Sequence, residues 1–325
     1  WDRGDAAAPI DPRLPAAARR QVLDTMRVGA EVGDDDALVM ATSGSTGAPK
    51  GVVLTHEAVA ASARATSRRL RVTEDDHWLA CLPLSHVGGL SVVTRALHAG
   101  TRLTVLSGFD AAAVDASPAT LISLVPTALR RIDPTRWRAI VLGGSHAPAD
   151  RPPNTVTTYG MTESGSGVVY DGVPLEGVDV RIADSGEIEL RGPMLLRCYR
   201  DGTDPKDPDG WYPTGDLGTW EDGRLRVAGR AGDMIVTGGE NVWPEAVEAV
   251  LHSHPAVADV LVRGVDDEEW GQVVEALVVP SPAATPTLEE LRGHVKDTHP
   301  AFMAPRRLQL VDAIPRTALG KPRRV

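Results

Sequence analysis

Apolar and polar positions alternate in two different ways along the chain, and the change falls near residue 172. Before it, short apolar segments alternate with longer segments of helical spacing. Strands are predicted at 77–84, 102–107 and 138–144, with a strand that runs into a loop at 37–47 and a strand followed by a helix at 119–132. Helices are predicted at 14–29, closed by Gly29, at 57–70, and at 88–100, closed by Gly100. This order is typical of a layered α/β domain with mostly parallel strands.

After residue 172 the alternation has the shorter period of antiparallel strands. Residues 178–195 alternate around Asp184-Ser185-Gly186, which predicts a hairpin, and 223–239 continue in the same style. Two strands flank an acidic loop within 258–280. Helices are predicted at 244–254, with Pro244 in the first turn, and at 288–299, capped by Thr287.

This pattern predicts two domains. We expect a large domain over 1–229, whose β-rich part covers about 172–229, then a hinge at 230–233 and a small, mobile α+β domain over 234–325. The chain of 325 residues is long enough for both.

Charge and cysteine content exclude some classes of protein. The net charge of −10 argues against a nucleic-acid partner, which would require a basic face. Cys81 and Cys198 are too few for a disulfide framework or a metal site, so we expect buried reduced thiols and a cytoplasmic protein. No apolar run approaches the roughly 18 residues of a membrane span. The chain begins without Met, so we expect that an N-terminal piece is absent.

The segment 41–56, ATSGSTGAPKGVVLTH, has the composition of an anion-binding loop. A Walker-type loop requires Gly, four residues, then Gly-Lys-Ser/Thr, and that spacing is not present around Lys50. Glycines still allow backbone amides to turn inward, and hydroxyls and a cation add further donors. The predicted phosphate-binding residues are Thr42, Ser43, Gly44, Ser45, Thr46, Gly47 and Lys50.

Further motifs give the loop a context. They are YGMTE at 159–163, GWYPTGDLG at 210–218, GRAGDMIVTGGENVWPEAVE at 229–248 and PRTALGKPRR at 315–324. With the loop and in this order, the chain resembles the adenylate-forming superfamily of acyl- and aryl-CoA synthetases, adenylation domains and luciferases. The resemblance implies that a carboxylate attacks the α-phosphate of ATP with Mg²⁺, and that CoA then displaces AMP from the acyl-adenylate.

The resemblance also implies roles for the matched residues. Tyr159 is expected to stack on adenine, Thr162 to contact the α-phosphate and Glu163 to hold Mg²⁺, and Gly160 to line the nucleotide and acyl sites. Asp216 and Arg230 are expected to bind the ribose. The segment Gly143, Gly144 and Ser145 is expected to line the adenine and acyl pocket.

The C-terminal motifs are expected to serve both half-reactions. Lys321 resembles the family's catalytic lysine, which contacts the reacting carboxylate during adenylation; as a lone segment, KPRR would instead be a solvated basic tail. In the family the small domain rotates between the half-reactions, and Gly238 and Gly239 would leave room for pantetheine. Gly232 stands at the pivot, where the family has Asp, Lys or Ser, so no specific hinge contact is expected.

The acid is predicted from length and from one helix. The chain begins near a segment similar to the family's NPRLP, here DPRLP at 11–15, and compact members with a shortened N-terminus include o-succinylbenzoate–CoA ligases of menaquinone synthesis. His86 belongs to a segment that lines the acyl pocket in the family, and we count it among the catalytic and substrate-binding residues. Arg95 follows nine residues later, about two and a half helical turns on. A cation there suits the second carboxylate of o-succinylbenzoate, although an exposed helix arginine is the alternative.

Other functions remain open on the sequence. The chain could be another aryl- or acyl-CoA synthetase, an adenylation enzyme that loads a separate carrier protein, or a non-catalytic nucleotide-binding relative. Intact Lys50, Glu163, Asp216, Arg230 and Lys321 weigh against the last of these. The sequence leaves the oligomeric state open, a homodimer included.

Overall fold

A computed structural model describes residues 4–43, 49–144, 150–316 and 323–324, with Ser43 described by its backbone alone. The helices in these ranges are α1 (Ala16–Met26), α2 (His56–Leu70), α3 (Val87–Ala99), α4 (Ala111–Ala116), α5 (Pro126–Leu129), α6 (Pro244–Leu251) and α7 (Leu288–Lys296). The strands of the first half are β1 (Asp36–Ser43), β2 (Pro49–Thr55), β3 (His77–Ala80), β4 (Arg102–Val105), β5 (Leu121–Leu124), β6 (Ala139–Leu142), β7 (Thr155–Met161) and β8 (Ser166–Tyr170). The remaining strands are β9 (Val173–Pro174), β10 (Asp179–Ile182), β11 (Glu187–Arg191), β12 (Cys198–Tyr199), β13 (Tyr212–Glu221), β14 (Arg224–Arg230), β15 (Ile235–Thr237), β16 (Glu240–Val242), β17 (Val257–Asp267), β18 (Gly271–Pro280) and β19 (Arg307–Leu310).

The largest sheet has seven strands in the order β4-β3-β5-β6-β7-β8-β9. The pairings from β4 to β7 are all parallel, and β8 and β9 join antiparallel. Strands β3, β5 and β6 are buried along their whole length, as apolar strands covered on both faces should be. The predicted α/β domain with parallel strands is confirmed.

Two smaller β structures accompany this sheet. Strands β1 and β2 form an antiparallel hairpin, and the short β12 pairs with β2. The hairpin predicted around residues 184–186 is confirmed, because β10 and β11 pair antiparallel on either side of it, in a sheet of order β10-β11-β13-β14.

The helix ends show which local signals were interpreted correctly. Helix α3 ends before Gly100, whose φ of 66° is the left-handed conformation that glycine adopts without strain. Helix α1 was predicted to continue to Gly29, and this is wrong. The helix stops at Met26, because Arg27 itself turns left-handed at φ 47°. Its N–H donates to the Asp24 carbonyl, and the N–H of Val28 donates to the Leu23 carbonyl, which closes the last turn.

Contacts divide the chain into two compact units. The first comprises Trp1–Ala183, Ile188–Thr214 and Trp220–Arg226, and the second comprises Asp184–Glu187, Gly215–Thr219 and Val227–Val325. The first unit buries both cysteines as free thiols, as expected. No described helix is long and apolar enough to cross a membrane.

The second unit is built on its own sheet. Strands β16-β15-β18-β17 pair antiparallel, and β19 joins β18 in parallel. Helix α6 has Pro244 in its first turn, and α7 begins with a capping box in which Thr287 and Glu290 bond each other's backbone N–H, both as predicted. The two helices bury apolar side chains against the sheet, which gives the unit its own core.

Candidate active site

The main sheet places several predicted site residues at one edge. Because β3, β6 and β7 run parallel, their carboxyl ends lie on the same side of the sheet, where open α/β folds bind ligands. Gly143 and Gly144 directly follow β6, and Thr162 and Glu163 directly follow β7. His86 follows β3 and is the N-cap residue of α3. Ser145 lies outside the described residues.

Glycine is required at two positions of this sheet edge, because neighbouring atoms lie close to the backbone there. A Cβ on Gly160 would lie 2.1 Å from the carbonyl oxygen of Ser166, where β7 and β8 pair. A Cβ on Gly143 would lie 2.7 Å from Thr158 Oγ1. Real Cβ atoms do not tolerate either distance, so both positions, one of them next to half-buried Tyr159, require glycine.

Glu163 is held in a buried turn and contacts a tyrosine pair. It lies in the 3-10 turn Thr162–Ser164 and is 8% exposed. Tyr199 donates its hydroxyl hydrogen bond to Glu163 Oε1 over 3.3 Å, and the Tyr212 hydroxyl is 3.5 Å from that of Tyr199. Lys50 Nζ lies 4.5 Å above the Tyr199 ring. Tyr199 therefore stands between the cation of the predicted phosphate loop and the predicted Mg²⁺ ligand.

The sequence did not identify Tyr199 or Tyr212 as site residues. Tyr212 falls within the quoted GWYPTGDLG motif, but its position gave no role. Tyr199 reaches Glu163 only because β12 pairs with β2, with Tyr199 opposite Val52. That pairing joins segments nearly 150 residues apart, which a local pattern does not show.

The predicted phosphate loop is the tip of the β1–β2 hairpin. Thr42 pairs with Lys50 in register and is buried, whereas Lys50 is exposed. The tip residues Gly44, Ser45, Thr46 and Gly47 lie outside the described residues, and so does the side chain of Ser43. The structure thus places the base of the loop, with Lys50 beside Tyr199.

The donor set suits Mg²⁺ bound together with phosphate rather than by protein alone. Among the residues that the structure describes, no group of three or more His, Cys, Asp or Glu side chains could hold a metal. Mg²⁺ is commonly bound by one or two carboxylates together with substrate phosphates and water. The single carboxylate of Glu163, with Lys50 nearby to attract phosphate, fits that arrangement.

Arg95 is buried and not an exposed helix residue. It is 2% exposed and lies on α3. Its guanidinium donates to Ser123 Oγ at 3.3 Å, to Ser166 Oγ at 2.5 Å and to the Tyr170 hydroxyl at 3.2 Å. The exposed-arginine alternative is wrong, because the surrounding hydroxyls of β5 and β8 give this cation a polar interior site.

The hydroxyls around Arg95 leave its charge unneutralised. All three hydrogen bonds to described side chains go to uncharged oxygens, and Nε is buried without a hydrogen-bond partner among them. The guanidinium carbon lies 5.7 Å from the Trp78 ring centroid, which adds only a weak attraction. Burying a charge without an opposite charge is costly, so this site is suited to an anion supplied from outside the protein.

The Arg95 cluster adjoins the turn that holds Glu163. The Ser166 hydroxyl accepts from Arg95, and the Ser166 carbonyl accepts from Ser164 Oγ at 2.8 Å. Ser164 is the residue after Glu163 in the same turn. Arg95 on α3 is therefore linked through Ser166 to the turn that carries Glu163.

In the second unit, Asp216 and Arg230 form an ion pair. Asp216 is buried on β13, and Arg230 Nε lies 3.1 Å from its Oδ1. Gly215 has a φ of 75° and donates its N–H to Glu187 Oε1, so the turn into Asp216 is fixed. The two predicted ribose-binding residues are thus brought together.

The predicted pantetheine glycines form the turn between β15 and β16. Gly238 and Gly239 have φ of 60° and 86°. Gly238 donates its N–H to the Trp270 carbonyl, and a Cβ on Gly238 would lie 2.7 Å from the Trp270 ring. Gly232 lies in the 3-10 turn Ala231–Asp233, and a Cβ there would meet nothing within 4 Å. Lys321 lies outside the described residues.

Comparison with known proteins identifies the family of this chain. Residues 5–200 match the family model for AMP-binding enzyme, and residues 246–321 match the AMP-binding enzyme C-terminal domain. The chain belongs to the AMP-binding enzyme family.

Relatives are known both by sequence and by structure. A probable 2-succinylbenzoate–CoA ligase of Mycobacterium tuberculosis is 40% identical, over 96% of this chain and 89% of the relative. The o-succinylbenzoate CoA synthetase (MenE) of Bacillus subtilis, in complex with the acyl-adenylate intermediate OSB-AMP, superposes with a TM-score of 0.82 at 32% identity, over 93% of this chain and 72% of that one. Its complex with ATP and magnesium ion gives a TM-score of 0.81 at 32% identity, over 91% and 71%.

Proposed function

We propose that this chain is an o-succinylbenzoate–CoA ligase (2-succinylbenzoate–CoA ligase) of menaquinone synthesis, an AMP-forming acid–thiol ligase. It activates o-succinylbenzoate with ATP as an acyl-adenylate and then transfers the acyl group to CoA. The reaction is assigned from the relatives named above, of which the Mycobacterium tuberculosis ligase is 40% identical over most of both chains. The observation on this chain that supports the acid is Arg95, which is buried among hydroxyls and has no carboxylate partner among the described residues.

The acid has two carboxylates with different fates. One is activated, and the other must be held without reacting. Arg95 binds the unreactive carboxylate, which replaces hydroxyl partners of its guanidinium with a charged one. Because Ser166 joins Arg95 to the turn of Glu163, the reacting carboxylate then lies toward the nucleotide. His86, at the start of the same helix, lines the acyl pocket with Ser145 and Gly160.

Adenylation needs the α-phosphate to accept an oxygen while pyrophosphate leaves. Lys50 and the loop hydroxyls bind the departing phosphates, Thr162 contacts the α-phosphate and Tyr159 stacks on adenine. Asp216 and Arg230 bind the ribose, and Gly143 and Gly144 line the adenine. Mg²⁺, bound by Glu163 and phosphate oxygens, supplies neutralisation of charge as pyrophosphate leaves. Lys321 contacts the reacting carboxylate, so its charge is needed in this half-reaction.

Thioester formation uses the other face of the small domain. In this proposal residues 230–233 are the hinge and 234–325 the mobile domain. Gly238 and Gly239 form the turn along which the pantetheine arm passes, and a side chain on Gly238 would meet the Trp270 ring. The small domain then rotates, which withdraws Lys321 from the acyl-adenylate and brings this turn to it.

A panel of acids tests the proposal. Purified protein is given ATP, Mg²⁺ and CoA with o-succinylbenzoate, benzoate, malonate or a medium-chain fatty acid, and pyrophosphate release and thioester are measured. We expect turnover with o-succinylbenzoate and little with the monocarboxylates. Full turnover with benzoate or the fatty acid, and none with o-succinylbenzoate, would refute the proposal in favour of another acyl- or aryl-CoA synthetase. Pyrophosphate release with no CoA thioester would favour a carrier-protein acceptor.

A further inference from the structure

The C-terminal arginine of the second unit is enclosed by three carboxylates. Arg324 lies within 3.0 Å of both carboxylate oxygens of Glu248 and of Glu245 Oε1, and 3.3 Å from Asp233 Oδ2. Its Nε donates to the Val262 carbonyl at 3.1 Å. The contacts join the end of the chain to helix α6, strand β17 and the 3-10 turn Ala231–Asp233.

The cluster depends on the arginine charge. The pKa of Glu248 is raised to about 7, chiefly by burial and also by the neighbouring Glu245, although Arg324 and the N–H of Val262 act to lower it. Glu245 Oε2 is buried without a hydrogen-bond partner among the described residues. Removing the arginine would leave three acidic groups facing one another, so the attachment of the chain end would be lost.

Further contacts fix the two ends of the segment that contains Lys321. Arg323 donates its backbone N–H to the Pro315 carbonyl at 2.8 Å. Before the segment, Arg316 pairs with Asp259 at 3.1 Å. Lys321 is three residues before Arg324, and covalent geometry alone keeps their Cα atoms within about 11 Å.

We infer that Arg324 is a positioning residue for adenylation: it fastens the base of the Lys321 segment to helix α6 and to the turn at 231–233. The inference rests on the proposed function, which assigns adenylation to Lys321. Because Asp233 belongs to the predicted hinge, the same arginine joins the hinge turn to the end of the chain. Arg324 contacts no substrate in this role and acts through the placement of Lys321.

The two half-reactions separate this role from a general structural one. Arg324→Ala should lower o-succinylbenzoate-dependent pyrophosphate release by about tenfold to hundredfold, because small misplacements of a catalytic group are costly. Thioester formation from pre-made acyl-adenylate and CoA should change less than about twofold, since it does not use Lys321. Arg323→Ala is the matched control: it removes the same charge from the adjacent position and keeps the backbone bond, and both rates should be unchanged.

A double-mutant cycle tests whether Arg324 acts through Lys321. Lys321→Ala should abolish most adenylation, and adding Arg324→Ala to it should cost little more. Arg324→Lys keeps the charge but not the two-pronged contact with Glu248, so it should fold normally and lose adenylation to an intermediate extent.

Two results would contradict the inference about Arg324, and a third would contradict the proposed function. Equal loss of both half-reactions in Arg324→Ala and in Arg324→Lys would show that the cluster only holds the fold. Additive losses in the double variant would show that Arg324 acts independently of Lys321. If wild-type protein released no pyrophosphate with o-succinylbenzoate, the proposed function would fail, and the half-reactions measured with the acid that is turned over would still test Arg324.

Discussion

Arg95 and Arg324 are both arginines withdrawn from water, and their surroundings differ in one respect. Arg324 in the second unit meets three carboxylates, whereas the described side chains bonded to Arg95 in the first unit offer hydroxyls only. A buried charge has to be neutralised in the working protein. Where the chain supplies the opposite charge, the arginine holds structure together. Where the chain supplies only dipoles, the opposite charge is expected on a ligand.

The largest effect, and the strongest test of this comparison, is expected from replacing Arg95. Arg95→Ala should raise the KM for o-succinylbenzoate by about a hundredfold, because a charge-assisted contact in the interior is lost, and should leave the KM for ATP nearly unchanged. Steady-state pyrophosphate release measures both. Arg95→Lys keeps the charge but loses the two-pronged donor geometry of the guanidinium, so it should retain part of the affinity for o-succinylbenzoate.

A control on the substrate side separates binding from folding. An analogue that lacks the second carboxylate has nothing for Arg95 to bind, so Arg95→Ala should not lower its slow turnover. Equal losses with the analogue and with o-succinylbenzoate would mean that Arg95 has a structural role like that of Arg324, and the comparison would collapse.

A moderate effect is expected from a hydroxyl partner of Arg95. Ser166→Ala should lower the free energy of unfolding by about 1–3 kcal/mol, since it removes a hydrogen bond to a charged group inside the protein. Chemical denaturation measures this. Ser91→Ala is the matched control and should cost less, because Ser91 is on the same helix as Arg95 but its hydroxyl bonds an uncharged group, the Gly88 carbonyl. Equal costs would show that the Arg95 hydroxyls contribute nothing particular.

The smallest effect concerns the carboxylate side of the comparison. The pKa of Glu248 is raised to about 7 in the fold and returns to about 4.5 in the unfolded chain. The contribution of Glu248 to stability is therefore fully present below about pH 4.5 and is lost as pH rises to about 7. Glu248→Gln cannot ionise, so relative to wild type it should gain stability across this range, by a few degrees in Tm. A constant Tm difference between pH 4.5 and 8 would contradict the raised pKa of Glu248.

Local signals predicted much of the fold. Short apolar segments predicted β3, β4, β5 and β6 of the main sheet but not β7, β8 and β9. Thr287 and Gly100 marked helix ends because capping depends on a few neighbouring residues. The exception was α1, where a non-glycine residue, Arg27, adopted the left-handed conformation ahead of Gly29.

The sites were predicted in part, for a physical reason. Ordered motifs located Glu163, Asp216 and Arg230, and the structure joins the last two. The hydrogen-bond partners of Arg95 come from segments 28 to 75 residues away, and those of Arg324 from segments 62 to 91 residues away. Such contacts depend on strand order and helix packing, which no local pattern contains.

The hydroxyl groups around Arg95 also bear on how accurately the enzyme selects its acid. An acid that lacks a second carboxylate would occupy the site and displace water, yet leave the guanidinium without an opposite charge. Sites with buried polar groups reject analogues that cannot pair with them far more strongly than apolar pockets reject an extra or missing methylene. The enzyme would then refuse abundant monocarboxylic acids through the cost of an unpaired ion, and would need no separate editing step to avoid wasting ATP on them.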